Sequence, residues 1–425
     1  DIPMHRCLFI LIGCVNYAVT YGQFTNYRIS PVNHNPVEPS VAINPLNTKE
    51  VAVGAVLDAY YVSTDGGVHW KSDTLKSPYG VYGDPVLQFD ANGRLYYFHL
   101  SNYSKGAWID RIVCQYTDSY TKAPSFSAGS FPKPNGRKAQ DKHWIDIDPT
   151  TGVIYMTWTQ FDRYDSKVPT DSSRIMFSKS MDRGLTWANP KVISFFNGDC
   201  LDGDKTVEGA VPVVGGQGQL YVTWTGPKGL MLQQSSDGGD TWLPVERCLL
   251  QQPGGWDFKI PGIFRCNGLP VLNVDRSKGE HQGTLYLSWS DQRNGVKDTD
   301  IWLIKSSDAA KTWSAPIRVN QDKTQTHQFM SAFTIDQSDG TLHFLFYDRS
   351  LAKQPNETHV VWVNSRNGGS SFDQQRISEK PFVPNPKVFF GDYISIAAVK
   401  GKVVPVWVRS DLGKTSLWTA NLNLK

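Results

Sequence analysis

The sequence predicts an all-β fold, a β-propeller of four-stranded antiparallel blades. Three observations predict it: an eight-residue motif that occurs five times, a strand–turn–strand unit that occurs seven times, and a composition suited to short strands and tight turns. The motif reads Ser, any residue, Asp, any, Gly, any, Thr, Trp. Its copies are residues 63–70 (STDGGVHW), 180–187 (SMDRGLTW), 235–242 (SSDGGDTW), 306–313 (SSDAAKTW) and a worn 365–372 (SRNGGSSF). They are spaced by 117, 55, 71 and 59 residues. The first interval is about twice the others, so one unit has lost its motif, around residues 117–126.

The chemistry of this box is structural. Its Asp accepts hydrogen bonds from backbone N–H groups of its own turn, its Gly permits positive φ, and its aromatic packs between neighbouring sheets. Hairpins open near Glu38, Asp84, Trp144, Glu208, Leu269, Ser331 and Tyr393, at intervals of 46, 60, 64, 61, 62 and 62 residues. Alternating apolar and polar residues in each arm give the strand period, and the Gly/Asn/Asp turns make the arms antiparallel. The last unit has room for three strands, and residues 24–32 form an orphan strand before the first hairpin. Pairing these two closes a ring of seven blades, or of six if the short first or boxless second unit is incomplete.

The 425 residues include 14 Trp, 18 Tyr, 36 Gly and 25 Pro, and no long helical pattern interrupts them. With 43 basic against 40 acidic residues, the net charge of +3 creates no field that would favour nucleic acid or an anionic membrane. Residues 1–22 read as an export signal, with a short basic start at Met4-His5-Arg6 and an apolar run from Cys7 to Val19 too short to span a bilayer. A rival reading makes Cys14 a lipid-anchored residue. Both readings predict a secreted, periplasmic or cell-surface protein, with residues 23–425 as one propeller domain and a monomer expected. Cys114, Cys200, Cys248 and Cys266 are even in number and free to pair or not.

Strand direction sorts the side chains by face. Boxes lie between the third and fourth strands, so the starts of first strands and the loops between second and third strands gather on the opposite face around the central channel. The polar residues there are Glu38, Asp84, Asp141 with His143, Glu208, Arg265 and Tyr393, joined by Asp162-Arg163, Asp291 with Arg293, Asp348-Arg349 and Arg409 with Asp411. Converging guanidiniums would clamp a carboxylate or sulfate, whereas each Asp–Arg pair taken alone suits a local salt bridge. Asp199, Asp202 and Asp204 on the Gly-containing loop 197–204 suit a structural calcium ion or an ordinary solvated acidic loop, because the spacing and closing Glu of an EF-hand are missing. No other cofactor is expected.

Boxes and hairpins together resemble the sialidase (neuraminidase) superfamily over nearly the whole chain beyond residue 22. Residues 208–214 (EGAVPVV) resemble the sialidase segment that begins a strand with Glu, and residues 391–396 (GDYISI) resemble the segment with its nucleophilic Tyr. The resemblance implies a glycoside hydrolase acting on an acidic sugar of a glycan. Tyr393 would be the nucleophile, Glu208 its base, and Asp58, Asp84 or Asp141 beside His143 the acid/base. Two departures bear on this. Residues 37–40 (VEPS) stand where sialidases carry an Arg-Ile-Pro triplet, and Gly226 and Pro227 stand where an Arg would follow the strand after Glu208. A clamp must then be assembled from Arg163, Arg265, Arg293, Arg349 or Arg409, with Asp84 as a further substrate contact. Two alternatives remain: a polysaccharide lyase using His143 and Tyr393 on a uronic acid, and a propeller that binds glycan or protein without chemistry.

Overall fold

In the computed structural model, residues 24–103, 106–119 and 125–423 are described; the expected export signal and Cys14 lie outside them. Among the described residues, seven antiparallel sheets form the blades. Their innermost strands are Val37–Ile43, Val86–Phe89, Ala139–Ile147, Glu208–Val214, Val271–Val274, Gln328–Asp336 and Ser395–Val399. Blade 3 shows the pattern, running outward through Ile154–Phe161, Ser173–Ser180 and Lys191–Val192. The seventh blade is closed from the other end of the chain: Asn26, Tyr27 and Arg28 pair with Ala420, Thr419 and Trp418. The second blade, the one without a box, has three strands, and a bridge from Cys114 to Ser130 stands where its fourth would be.

The boxes behave as their chemistry requires. In the fourth blade Asp237 accepts hydrogen bonds from the Ser235 hydroxyl (2.7 Å), the Thr241 backbone N–H (2.9 Å) and the Thr241 hydroxyl (2.6 Å), while Gly239 N–H donates to Ser235. Asp182 and Asp308 repeat the pattern, and Asn367 replaces the carboxylate in the worn copy. The Trp of one box seals the seam to the preceding blade: Trp242 meets the Phe177 ring edge-on at 4.9 Å. Gly239 sits at φ +86°, and a Cβ there would lie 2.3 Å from the Phe177 ring, so no other residue fits.

A second repeated device lies at the opposite end of the inner strands. Register slips by one or more residues between Val37 and Ser40, between Glu208 and Val211 and between Phe329 and Ala332, and in blade 3 opposite Thr157–Thr159. Positive φ accompanies these bulges at Glu38 (54°), Lys142 (48°), Gly209 (71°) and Met330 (50°), with Asp84 (48°) just ahead of the second inner strand. Bulges re-aim side chains, and non-Gly residues in this region are strained, a combination that marks functional sites. Between blades 4 and 5 a small hairpin, Asp257–Phe258 with Cys266–Asn267, leans over the same face. The four cysteines of the described residues remain free thiols.

Replacing Asp237 by Ala removes the acceptor that closes its turn and should lower the urea midpoint, and Gly239→Ala should lower it further because the Phe177 ring must move. The Asp308 carboxyl is lowered to about 2 by its Thr312 and Ser306 donors. Its contribution is therefore complete above the unfolded value of 3.8 and is lost as pH falls through about 2. Asp308→Asn should flatten that part of the acid-unfolding curve.

Candidate active site

On the face opposite the boxes, the bulged strand ends bring ionisable side chains from several blades to the axis. Lys142 of blade 3 is 7% exposed, and its Nζ lies 2.8 Å from Asp392 Oδ2, 3.6 Å from Asp84 Oδ2 and 3.9 Å from Glu38 Oε1. One ammonium thus meets carboxyl groups from the seventh, second and first blades. Asp392 also takes two hydrogen bonds from the Arg265 guanidinium, one of them from Nε at 2.7 Å, and its own backbone N–H donates to Glu38 Oε1 at 3.0 Å. Arg265 continues to Asp202 (2.9 Å), which accepts from the Tyr164 hydroxyl at 2.7 Å. Gly391 makes the approach of Glu38 feasible: it adopts φ +92°, and a Cβ would stand 3.1 Å from the Glu38 backbone nitrogen.

Six acids share two cations here, and among the buried ones the pairing with those cations decides which ionise. Desolvation holds Glu38, Asp141 and Glu208 well above the ordinary carboxyl range, reinforced by the neighbouring carboxylates. Lys142 and Arg265 instead hold Asp392 down to about 2, against its burial, and Lys142 with His143 lowers Asp84. Asp141 and Asp84 also act on each other, the charge of Asp84 helping to hold the Asp141 carboxyl up. The lysine is pushed well above its ordinary value by the same carboxylates, mainly Asp392. Glu208, 1% exposed, keeps its Oε1 without a hydrogen-bond partner and lines a narrow space of about 10 Å3, room for one water molecule, with Asp202, Asp392 and Lys142.

The structure therefore brings together Asp84, Asp141, Glu208, Arg265 and Asp202 from the sequence-derived candidates. Tyr393 and His143 border this cluster without bonding into it, Lys142 Nζ lying 5.9 Å from the Tyr393 ring centroid, and the remaining candidates lie elsewhere. Tyr393 turns into the central channel, edge-on to Trp144 at 5.4 Å, in a cavity of about 210 Å3; no hydrogen bond joins it to Glu208. Its phenol is raised by burial and then by Asp84 and Glu38, both of which oppose ionisation. His143 is 1% exposed beside Phe98 and is lowered to about 4 by desolvation, so it is neutral, with no hydrogen bond to Tyr393. Asp58 lies on the turn outside the second strand of blade 1, where its charge acts on Tyr61 and Tyr97.

An arginine clamp does not form. Arg293 is held by Asp291 at 2.6 Å and lies over Trp302, Arg409 is held by Asp411 and two backbone carbonyls, and Arg349 donates to Pro261 O at 2.7 Å. Arg163 is exposed outside the cluster. Arg293 and Arg409 pair within their own blades because Asp-x-Arg spacing makes the local carboxylate the nearest one, whereas Arg349 reaches a carbonyl of the hairpin between blades 4 and 5. The three loop carboxylates are likewise divided: Asp199 accepts from Thr206, Asp202 from Tyr164 and Arg265, and Asp204 from the Asp257 backbone. Among the described residues no three metal-ligating side chains converge. Sequence reasoning missed Lys142 and Asp392 as site residues. Both flank residues that it chose, Lys142 between Asp141 and His143 and Asp392 ahead of Tyr393, and the signal was a charged residue at the mouth end of an inner strand.

Comparison with known proteins places the architecture. A sialidase, NanB from Streptococcus pneumoniae, superposes with a TM-score of 0.51 at 11% identity over 88% of this chain and 83% of its own. An ulvan lyase of polysaccharide lyase family PL25, bound to a glucuronate–sulfated rhamnose unit, gives 0.53 at 12% over 94% and 96%. A protein of unknown function from Dyadobacter fermentans gives 0.50 at 10% over 94% and 98%. The fold is that of sialidases and ulvan lyases. At such identities the likeness concerns the fold alone, and hydrolases and lyases share it. No protein-family model and no curated protein matches the sequence. Among the described residues no helix is long and apolar enough to cross a membrane.

Lys142→Met should destabilise by about 3–5 kcal/mol, as loss of one partner from a buried ion network does. Lys142→Met combined with Asp392→Asn should cost less than the sum of the two, a coupling that a double-mutant cycle in urea reads directly. The pH dependence has two sides. Glu38, Asp141 and Glu208 bind protons more tightly when folded, so their contribution is complete at low pH and is lost as pH rises through their raised values; Asp392 contributes above its unfolded 3.8 and loses this as pH falls through about 2. Glu208→Gln should therefore reduce the alkaline loss of stability and leave the acid limb in place.

Proposed function

We propose that this is an exported glycan-processing propeller that cleaves glycosidic bonds at the axial mouth by carboxyl acid–base chemistry, with Glu208 as the proton donor. The observation that carries the reading is the division of protons in one cluster: Glu208 holds its proton and has an unpartnered oxygen, while Asp392 and Asp84 beside it are ionised. Glycoside cleavage uses such a pair, one carboxyl kept protonated by its surroundings and one kept charged.

The charge balance favours a neutral sugar. Lys142 and Arg265 are both engaged by carboxylates, so neither cation is free for a sugar carboxylate. A sialic acid site, or a lyase site for a uronic acid such as that bound by the ulvan lyase, would need one that is. The depth of Glu208 favours a second reading, a propeller that binds glycan without cleaving it.

Incubation of the protein with neutral and acidic polysaccharides, followed by reducing-end release and by absorbance of unsaturated products, tests both. Hydrolysis of a neutral glycan that falls about 10²–10⁴-fold in Glu208→Gln, and is untouched in the box variant Asp237→Asn, supports the hydrolase. Unsaturated products from a polyuronate would overturn it, and retention on a glycan without any turnover would select the binding reading.

A further inference from the structure

The face around the cluster carries aromatic side chains that pack one side on the core, as Trp108, Tyr164 and Phe389 do, or stand exposed, as Tyr82 and Phe264 do, and the acid–base chemistry uses none of them. On one side Trp108, from the loop between the second and third strands of blade 2, lies between Tyr82 and Tyr164; both neighbours meet it edge-on, with centroids 5.4 Å away and planes at 89°. Tyr82 is 37% exposed and Trp108 half-buried. On the other side Phe264, 55% exposed on the hairpin between blades 4 and 5, meets Phe389 at 6.1 Å. A continuous set of contacts joins the two sides. Tyr164 donates to Asp202, Asp202 accepts from Arg265, and the Arg265 guanidinium lies 5.3 Å from the Phe389 ring centroid. The two aromatic groups thus flank the polar centre above Glu208 and Asp392.

Resting on the glycan-processing reading, we infer that this track binds an extended, neutral oligosaccharide, with sugar rings seated on Trp108 at one end and on Phe264 and Phe389 at the other. The apolar face of a pyranose fits an aromatic face, and its hydroxyls fit the Asp202 carboxylate and Arg265 guanidinium between the platforms. Trp108 is braced on two sides by perpendicular rings, so it loses little freedom when a ligand binds. Neutrality follows from the two cations already being engaged. Two separate aromatic groups, joined through Tyr164, Asp202 and Arg265, favour a chain of several sugars over a single terminal residue.

Affinity electrophoresis of the full chain through gels containing xylan, mannan, hydroxyethyl cellulose or polygalacturonate tests the inference. The expected result is retardation by at least one neutral polymer, unchanged in the box-face variant Leu185→Ala, and weakened about tenfold or more in Trp108→Ala and in Phe264→Ala. Trp108→Phe should restore part of it, which separates a lost stacking surface from a damaged fold. Equal retardation of the wild type and both aromatic variants overturns the inference, as does retardation by polygalacturonate alone or by none of the four. Retardation that depends on the aromatics without any hydrolysis leaves the track standing and removes the hydrolase.

Discussion

The structure depends most on a single buried ammonium. Lys142 reaches from blade 3 to carboxyl groups of blades 1, 2 and 7, and Arg265 ties the same Asp392 to the loop before blade 4. A propeller has no core common to all its blades; each packs on its neighbours, and the ring is otherwise held by the pairing of Asn26–Arg28 with the last blade. Charges at the axis tie together blades that do not touch. Burying this network carries a large desolvation cost, which only dense mutual pairing offsets. The strained backbone at Glu38, Asp84 and Lys142 adds a further cost. A purely structural plug could have been apolar, so this charged layer costs more than closing the ring requires.

Fold and site differ in how far the sequence discloses them, and the reason is geometric. The box is local: Ser235, Asp237 and Thr241 satisfy one another within seven residues, so the motif survives as a readable string. Hairpin spacing is legible for the same reason, as is the orphan first strand, because an unpaired strand and a three-stranded last unit each imply the other. Even the boxless second blade was visible as a doubled interval, although part of the segment assigned to it lies outside the described residues. The axial cluster is assembled by bulges, and a bulge defeats the period-two rule that assigns side chains to faces. Asp141 and Lys142 are consecutive, yet both enter the cluster. Gly391 lets Asp392 pack against Glu38 while Tyr393 turns down the channel. Position in the repeat located the mouth, and the backbone irregularity decided which residue of each pair occupies it.

The arginines show the converse. In each Asp-x-Arg or Asp-Arg sequence the blade offers a partner within a few residues, and Arg293 and Arg409 take it. Arg265 behaves differently because it stands on a hairpin leaning over the mouth, where its nearest carboxylates belong to other units. Long-range pairing of this kind follows from an insertion outside the repeat, which no repeat alignment within the chain would reveal.

Tyr393 separates the resemblance from the chemistry most sharply. A phenolate nucleophile needs a base within hydrogen-bond reach and surroundings that tolerate a negative oxygen. Here burial and the charges of Asp84, Glu38 and Asp392 all favour the neutral phenol, with only Lys142 opposing them, and Glu208 is itself held protonated, so it has no free charge with which to draw a proton. Trp144 and Tyr393 line the channel side of the charged layer, and the channel widens below them to a cavity of about 550 Å3 that takes residues from all seven inner strands. The layer of Lys142 and its carboxylates thus lies between tyrosine and mouth. A sugar arriving at the mouth would meet carboxyl groups first, so acid–base chemistry on carboxyls requires less rearrangement of this site than covalent chemistry through the tyrosine.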